Sequence, residues 1–183
     1  MRKLGPFILL FGSGLAALSY QMVWMREFRL IFGASTAATA AVSALFMAGL
    51  GLGGRLLGPR ADRAVRPLLL YGQLELAISI LAGLSPWLLD LTRALYLSSG
   101  GVLVLGLPGA TAARLALTAL VVGLPALLMG GTLPAAARAV TAEHDGARLS
   151  LGALYGVNTL GALTGAFLST FLVMEALGAR DTL

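Results

Sequence analysis

Long apolar stretches, each about as long as a membrane crossing needs, most strongly constrain what this sequence can fold into. They cover five approximate spans: residues 5–24, 35–54, 67–88, 113–140 and 149–172. Only 11% of the 183 residues are charged and 58% are hydrophobic, which is more apolar surface than one soluble core of this size can bury. The sequence therefore predicts an all-α, polytopic transmembrane helix bundle that forms one domain over residues 1–183.

The segments between the spans contain charged and helix-breaking residues. Residues 25–33 interleave charged and apolar side chains, which favours a short helix on the membrane surface. Residues 55–66 are predicted to form a basic loop, and residues 89–112 an interfacial helix and loop. Five residues in the fourth span predict a kink or local unwinding: Gly123, Pro125, Gly130, Gly131 and Pro134.

Glycines four residues apart occur on the second and fifth spans. This spacing lets helices approach closely in lipid, so it predicts packing faces. The pairs are Gly49 with Gly53, Gly152 with Gly156, and Gly161 with Gly165.

The basic residues, which give the chain a net charge of +5, predict its orientation. With the N-terminus inside, eight of them are cytoplasmic and five lie outside, as the positive-inside rule favours. The first group is Arg2, Lys3, Arg55, Arg60, Arg63, Arg66, Arg138 and Arg148, and the second is Arg26, Arg29, Arg93, Arg114 and Arg180. We therefore expect a bacterial-type inner membrane protein with a cytoplasmic N-terminus, and no nucleic-acid partner, because the charges flank apolar runs.

Other features limit the chemistry. The sequence has no cysteine, which excludes disulfides and thiolate catalysis, and it contains no soluble catalytic motif or expected cofactor. His144 is predicted to lie in a solvated loop, with a metal site as the less favoured alternative. The first apolar stretch continues to Trp24 without a cleavage site, so we expect an uncleaved span. The odd span count favours a fragment or one part of a larger assembly, with other membrane helices as partners.

Glu75 is the strongest candidate for a functional residue. A carboxylate inside an apolar span is unfavourable by a few kcal/mol or more unless it is paired, hydrated or protonated. Such acids commonly mark a cation path, a proton relay or a polar substrate site, and a structural hydrogen bond to another helix is the alternative. Tyr71, one turn earlier, is expected on the same helix face, whereas Gln73 faces elsewhere.

Four further residues are candidates for substrate binding. Tyr20 and Gln21 end the first span, where interfacial anchoring is an alternative role. Tyr155 and Asn158 share a face of the fifth span, where interhelical hydrogen bonding is equally favoured.

The loop between the second and third spans combines arginines with one acid. Arg55, Asp62 and Arg63 are candidates for a latch that holds one conformation of a moving bundle. Plain topology signalling by the positive charges is the favoured alternative.

Six motifs occur in order along most of the chain: residues 19–26, 46–53, 54–63, 74–76, 128–134 and 155–162. This series resembles the membrane domain of spermidine-synthase-like proteins, in which a major-facilitator-like region is fused to an aminopropyltransferase domain. In that family a soluble, methyltransferase-like domain performs the transfer, and these residues contain no such stretch. We therefore do not expect aminopropyltransferase activity from this sequence.

The resemblance implies a bundle related to half of a major-facilitator protein, which binds or transports polyamines or related small cations. Its substrate-binding residues would be Glu75, Gln21, Tyr20, Tyr155 and Asn158. Two alternatives remain open. In the first, the chain would be a non-catalytic anchor or regulatory module for an aminopropyltransferase. In the second, it would be a structural subunit of a membrane complex that docks through its glycine faces.

Overall fold

The computed structural model describes residues 5–33, 36–141, 147–179 and 182, with the backbone alone described at 141 and 147–150. Within these ranges the fold is all-helical, and five helical stretches are long and apolar enough to cross a membrane. The predicted five-span, multi-pass membrane bundle is confirmed. The helices are α1 Gly5–Phe32, α2 Thr36–Asp62, α3 Pro67–Ser98, α4 Gly101–Thr118, α5 Leu124–Thr141, α6 Ala147–Leu168 and α7 Met174–Ala176, with π-helical segments Ala119–Gly123 and Ser169–Val173.

The first three helices are longer than the sequence predicts. Residues 25–32 belong to α1 and do not form a separate surface helix, because Phe28 and Phe32 are buried within the bundle. Residues 55–62, predicted to belong to a basic loop, are part of α2, which continues through Pro59 to Asp62. This part of the prediction is wrong. Residues 89–98 extend α3, where Thr92 and Tyr96 are buried.

The fourth helical stretch begins earlier than predicted, at Gly101, and runs to Val140, with a kink inside it where two helices meet. Its sharpest irregularity is at Gly106, whose φ of 65° requires a residue without a Cβ. The π segment Ala119–Gly123 is a second irregularity, and it ends at one of the predicted helix breakers. The remaining predicted breakers do not interrupt α5.

Two pairs of parallel helices form the centre of the bundle, and glycines allow their close approach. A Cβ at Gly161 or Gly165 of α6 would overlap carbonyl oxygens of α1. A Cβ at Gly53 of α2 would likewise overlap the Leu127 carbonyl of α5. These two predicted packing faces are used within the chain.

The third glycine pair does not form a packing face among the described residues. A Cβ at Gly152 or Gly156 would meet nothing within 4 Å, so packing of this pair against a helix of another chain stays a prediction. Both pairs lie on α6. Of the two, the pair Gly161 and Gly165 lies where the α6 backbone contacts the α1 backbone.

Helix α3 runs parallel to α1 and contacts it through polar side chains. The Tyr71 hydroxyl donates to the Leu9 carbonyl at 2.9 Å, and Trp24 Nε1 donates to Ser85 Oγ at 3.0 Å. The sequence separation is nearly constant, 62 residues in the first pair and 61 in the second, as expected for two parallel helices in register.

Two apolar clusters form the core. The Trp24 cluster includes Trp24, Phe28, Val42, Phe46, Ile78, Val122 and Met129. The Leu10 cluster includes Leu10, Ala61, Tyr71, Leu74, Ala135 and Leu154. The polar residues described below lie between these clusters along the helices.

Arginines form hydrogen bonds between helices at both ends of the bundle. At one end, Arg138 Nε donates to the Asp62 carbonyl at 3.0 Å. At the other end, Arg114 Nε donates to the Tyr96 hydroxyl at 3.1 Å and its Nη2 to the Phe32 carbonyl at 3.3 Å. Of the residues discussed above, Arg2, Lys3, His144 and Arg180, together with the Arg148 side chain, lie outside the described part of the structure.

Candidate functional site

A hydrogen bond between α1 and α3 holds Glu75. The Ser13 hydroxyl donates to Glu75 Oε1 at 2.5 Å, and the carboxylate is half-buried. Glu75 lies eight residues beyond Pro67, and Ser13 eight residues beyond Gly5. Both are therefore about 12 Å along their helices at 1.5 Å per residue, well inside a hydrocarbon core about 30 Å thick.

Other hydroxyl groups lie close to Glu75, but no basic side chain among the described residues pairs with it. Tyr71 and Tyr20 are both near enough to be affected by its charge, Tyr71 one turn earlier on α3 and Tyr20 on α1. An ion pair among the described residues joins Arg93 and Glu27 at 4.0 Å, and it is distant from this site. The Glu75 carboxylate thus accepts a hydrogen bond from Ser13 and has no countercharge among the described residues.

Ser13 also lines a cavity of about 350 Å³ between α1, α2, α5 and α6, which we call the central cavity. Its polar lining consists mainly of hydroxyl and amide groups. They belong to Ser13, Thr132, Tyr155, Asn158 and Thr159. Its apolar lining includes Phe46, Leu50 and Met129.

The α6 side of the central cavity combines a buried and an open part. Asn158 is half-buried, and its side-chain oxygen lies beside Gly14 of α1. Tyr155, by contrast, is 63% exposed, which places it at the mouth. The cavity therefore extends from the bundle surface at Tyr155 to the Ser13–Glu75 hydrogen bond.

The five predicted substrate-binding residues fall into three groups. Tyr155 and Asn158 line the central cavity together, as their spacing predicts. Glu75 and Tyr20 lie near each other at the α1–α3 contact, where Glu75 reaches the cavity only through Ser13. Gln21 is buried, with 6% of its surface exposed, but it is not among the cavity-lining residues.

The candidate latch residues lie at the end of α2. Arg55, Asp62 and Arg63 are all exposed, and no ion pair among them occurs in the described structure. The Asp62 carbonyl is bound instead by Arg138 of α5. A conformational latch at these residues stays a prediction, and Arg138 is an additional contact at the same place.

Ser13 and Thr132 are not among the site residues that the sequence predicts. A serine or threonine within an apolar helix is tolerated because its hydroxyl can bond to its own backbone, so neither residue attracts notice in the sequence. Thr132 does bond to the Met129 carbonyl, at 2.8 Å, whereas Ser13 bonds across to α3. Ser13 lies eight residues beyond the start of α1, and Glu75 lies eight residues beyond the start of α3. This equal spacing is the one signal that points to their pairing.

No protein-family model, curated protein or solved structure matches this chain. The class of protein is defined by the fold: a five-span membrane helix bundle with a cavity that apolar and polar side chains line together.

Proposed function

We propose that this membrane protein binds a small organic cation in the central cavity, with Glu75 supplying the negative charge. The observation that carries the proposal is the double role of Ser13, which lines the cavity and donates to the Glu75 carboxylate at 2.5 Å. A cation in the cavity lies one hydroxyl group away from an intramembrane acid that has no countercharge in the described part of the chain.

Hydrogen-bonding capacity favours a cation over an anion. While the Ser13 hydroxyl donates to Glu75, its lone pairs stay available as acceptors towards the cavity. The Asn158 carbonyl oxygen is a further acceptor. An ammonium group has three donors and no acceptor, so it complements these oxygens.

The resemblance to spermidine-synthase-like membrane domains extends the proposal to polyamines and related amines as the substrate class. The sites of major-facilitator-like transporters also lie near the middle of the membrane, between helix repeats. In this proposal, transport involves further membrane helices, from a second copy of the chain or from a partner subunit.

Binding of labelled spermidine to the purified protein in detergent tests the proposal. We expect Glu75→Gln to weaken binding about 10-fold to 100-fold, because two opposite unit charges about 6 Å apart attract by about 3 kcal/mol at an effective dielectric constant of about 20. Glutamine keeps the shape and can still accept from Ser13, so the bundle is expected to remain folded.

Glu27→Gln is the matched control, because it removes another α1–α3 carboxylate, the one that pairs with Arg93 far from the cavity. We expect spermidine affinity to change by less than about twofold in this variant, since charge effects are screened over such distances. Equal losses in both variants, or an unchanged affinity for spermidine and simpler amines in Glu75→Gln, would overturn the assignment.

We further propose the cytoplasmic N-terminus and bacterial-type inner membrane that the basic residues predict. The excess of arginines at the α2–α3 connection supports this orientation. Single cysteines replacing Arg60 and Arg29 provide the test in intact cells. A membrane-impermeant maleimide should label the Arg29 position and not the Arg60 position, and the reverse pattern would contradict the orientation.

A further inference from the structure

A second cavity, of about 420 Å³, lies where the end of α1 meets the π segment Ser169–Val173. Its lining combines two arginines with a threonine and apolar side chains. These residues include Arg26, Arg29, Thr170, Met22, Met25 and Met174. None of the described residues that line it is acidic.

The depth of this cavity matches the edge of a membrane. Arg26 lies 21 residues beyond Gly5 on α1, which is about 31 Å along the helix axis. The hydrocarbon core of a bilayer is about 30 Å thick. The uncharged part of α1, residues 5–25, matches this thickness, so Arg26 and Arg29 lie at the headgroup level of one leaflet and Met22 lies one turn deeper among acyl chains.

The two arginines have no acidic partner among the described residues. Glu27 is between them in the sequence, but it pairs with Arg93 on α3. Arg26 and Arg29 are both exposed, and both line the cavity. A guanidinium group has a planar set of donors that matches the oxygens of a phosphate.

We propose that this cavity binds one anionic phospholipid. Arg26 and Arg29 hold its phosphate, and the Thr170 hydroxyl is a further donor. An acyl chain lies along Met22, Met25 and Met174, since unbranched methionine side chains adapt to an irregular apolar ligand. A free inorganic anion would use the arginines but leave the methionine wall without a function.

This site is separate from the central cavity and does not depend on the cation proposal. The two cavities have no lining residue in common. The chemistry is also opposite, because the central cavity has the Glu75 carboxylate behind its wall and the second cavity is lined by two guanidinium groups. None of these three groups forms an ion pair with another described residue.

Native mass spectrometry of the purified protein in mild detergent tests the lipid site. Titration with phosphatidylglycerol should give one tightly bound lipid, and zwitterionic phosphatidylcholine should bind more weakly. We expect Arg26→Gln with Arg29→Gln to weaken phosphatidylglycerol binding about 30-fold, since each basic residue near a membrane surface contributes roughly fivefold. Arg26→Lys with Arg29→Lys should keep most of the preference for the anionic lipid.

Arg60→Gln is the control, because Arg60 is an exposed arginine at the other end of the bundle whose side chain bonds to Leu56 of its own helix. It should leave phosphatidylglycerol binding unchanged. If the double glutamine variant does not fold, Arg29→Gln alone should show the fivefold loss. The proposal is overturned if the glutamine variants bind phosphatidylglycerol like the wild type, if Arg60→Gln weakens binding equally, or if millimolar inorganic phosphate displaces the lipid.

Discussion

The two interfaces of α1 are built on different principles. Against α6, the backbones touch, and a Cβ at Gly14, Gly161 or Gly165 would overlap a carbonyl oxygen of the other helix. Against α3, the contact is made by side chains that hydrogen-bond across the gap: Ser13 to Glu75, Tyr71 to Leu9 and Trp24 to Ser85.

The difference indicates which interface can exchange contacts with a ligand. Close van der Waals packing between glycine faces has no replacement if the helices separate, so it fixes α6 against α1. Interhelical hydrogen bonds in membrane proteins contribute only about 0.6 kcal/mol each on average. The polar α1–α3 contact can therefore rearrange at small cost, and it is the contact that includes Glu75.

The largest effect is expected from filling the glycine interface. Gly161→Ala with Gly165→Ala should destabilise the protein by about 3 kcal/mol or more, because each new methyl group overlaps the α1 backbone and overpacking of this kind usually costs 1–3 kcal/mol per site. Reversible unfolding in mixed micelles measures this change.

Gly152→Ala with Gly156→Ala is the control on the same helix. Both positions have open space, and alanine is favoured over glycine in a helix by about 1 kcal/mol. We therefore expect these substitutions to leave stability unchanged or to increase it. A similar loss in both variants would show that α6 does not distinguish the two glycine pairs.

A smaller effect is expected at the polar interface. Trp24→Phe removes the Nε1 donor to Ser85, whose hydroxyl keeps its bond to the Ala82 carbonyl at 2.6 Å. A double-mutant cycle with Ser85→Ala should give a coupling of about 0.6 kcal/mol and no more than about 1.7 kcal/mol. Trp87→Phe is the control, since Trp87 is exposed, and should change stability by less than about 0.5 kcal/mol. A coupling above 3 kcal/mol would mean that the polar contact is as rigid as the glycine contact.

The existence and number of the spans could be predicted because lipid imposes the same requirement on every crossing helix. The ends of the helices could not. Residues 25–32 alternate charged and apolar side chains, and this pattern suits both a surface helix and the end of a bundled helix. Phe28 and Phe32 are buried against other helices, so these residues form the end of a bundled helix. This burial depends on tertiary packing.

The candidate site was predictable only where a residue is conspicuous by itself. Glu75 stands out because a carboxylate is unfavourable in an apolar span, and Tyr155 and Asn158 stand out through their helical spacing. Ser13 does not stand out, because its partner is 62 residues away and its role arises from the parallel packing of α1 and α3. The glycine pairs show the same limit, since identical spacing on α6 gives one packed face and one open face.

The most direct test of the central claim is charge-selective labelling of the cavity. The chain has no cysteine, so Asn158→Cys places a single thiol in the cavity wall. The rates of its modification by a trimethylammonium thiosulfonate and by a sulfonate-bearing one are then compared. Ser98→Cys is the control, because it is exposed at the far end of α3, about 34 Å along the helix from Glu75.

We expect the ratio of cationic to anionic labelling rates to be at least several-fold higher at position 158 than at position 98. Glu75→Gln should lower the ratio at position 158 to the control value, because the carboxylate is the source of the attraction. A ratio that Glu75→Gln leaves unchanged, at a thiol that both reagents reach, would contradict the claim that Glu75 draws cations into this cavity.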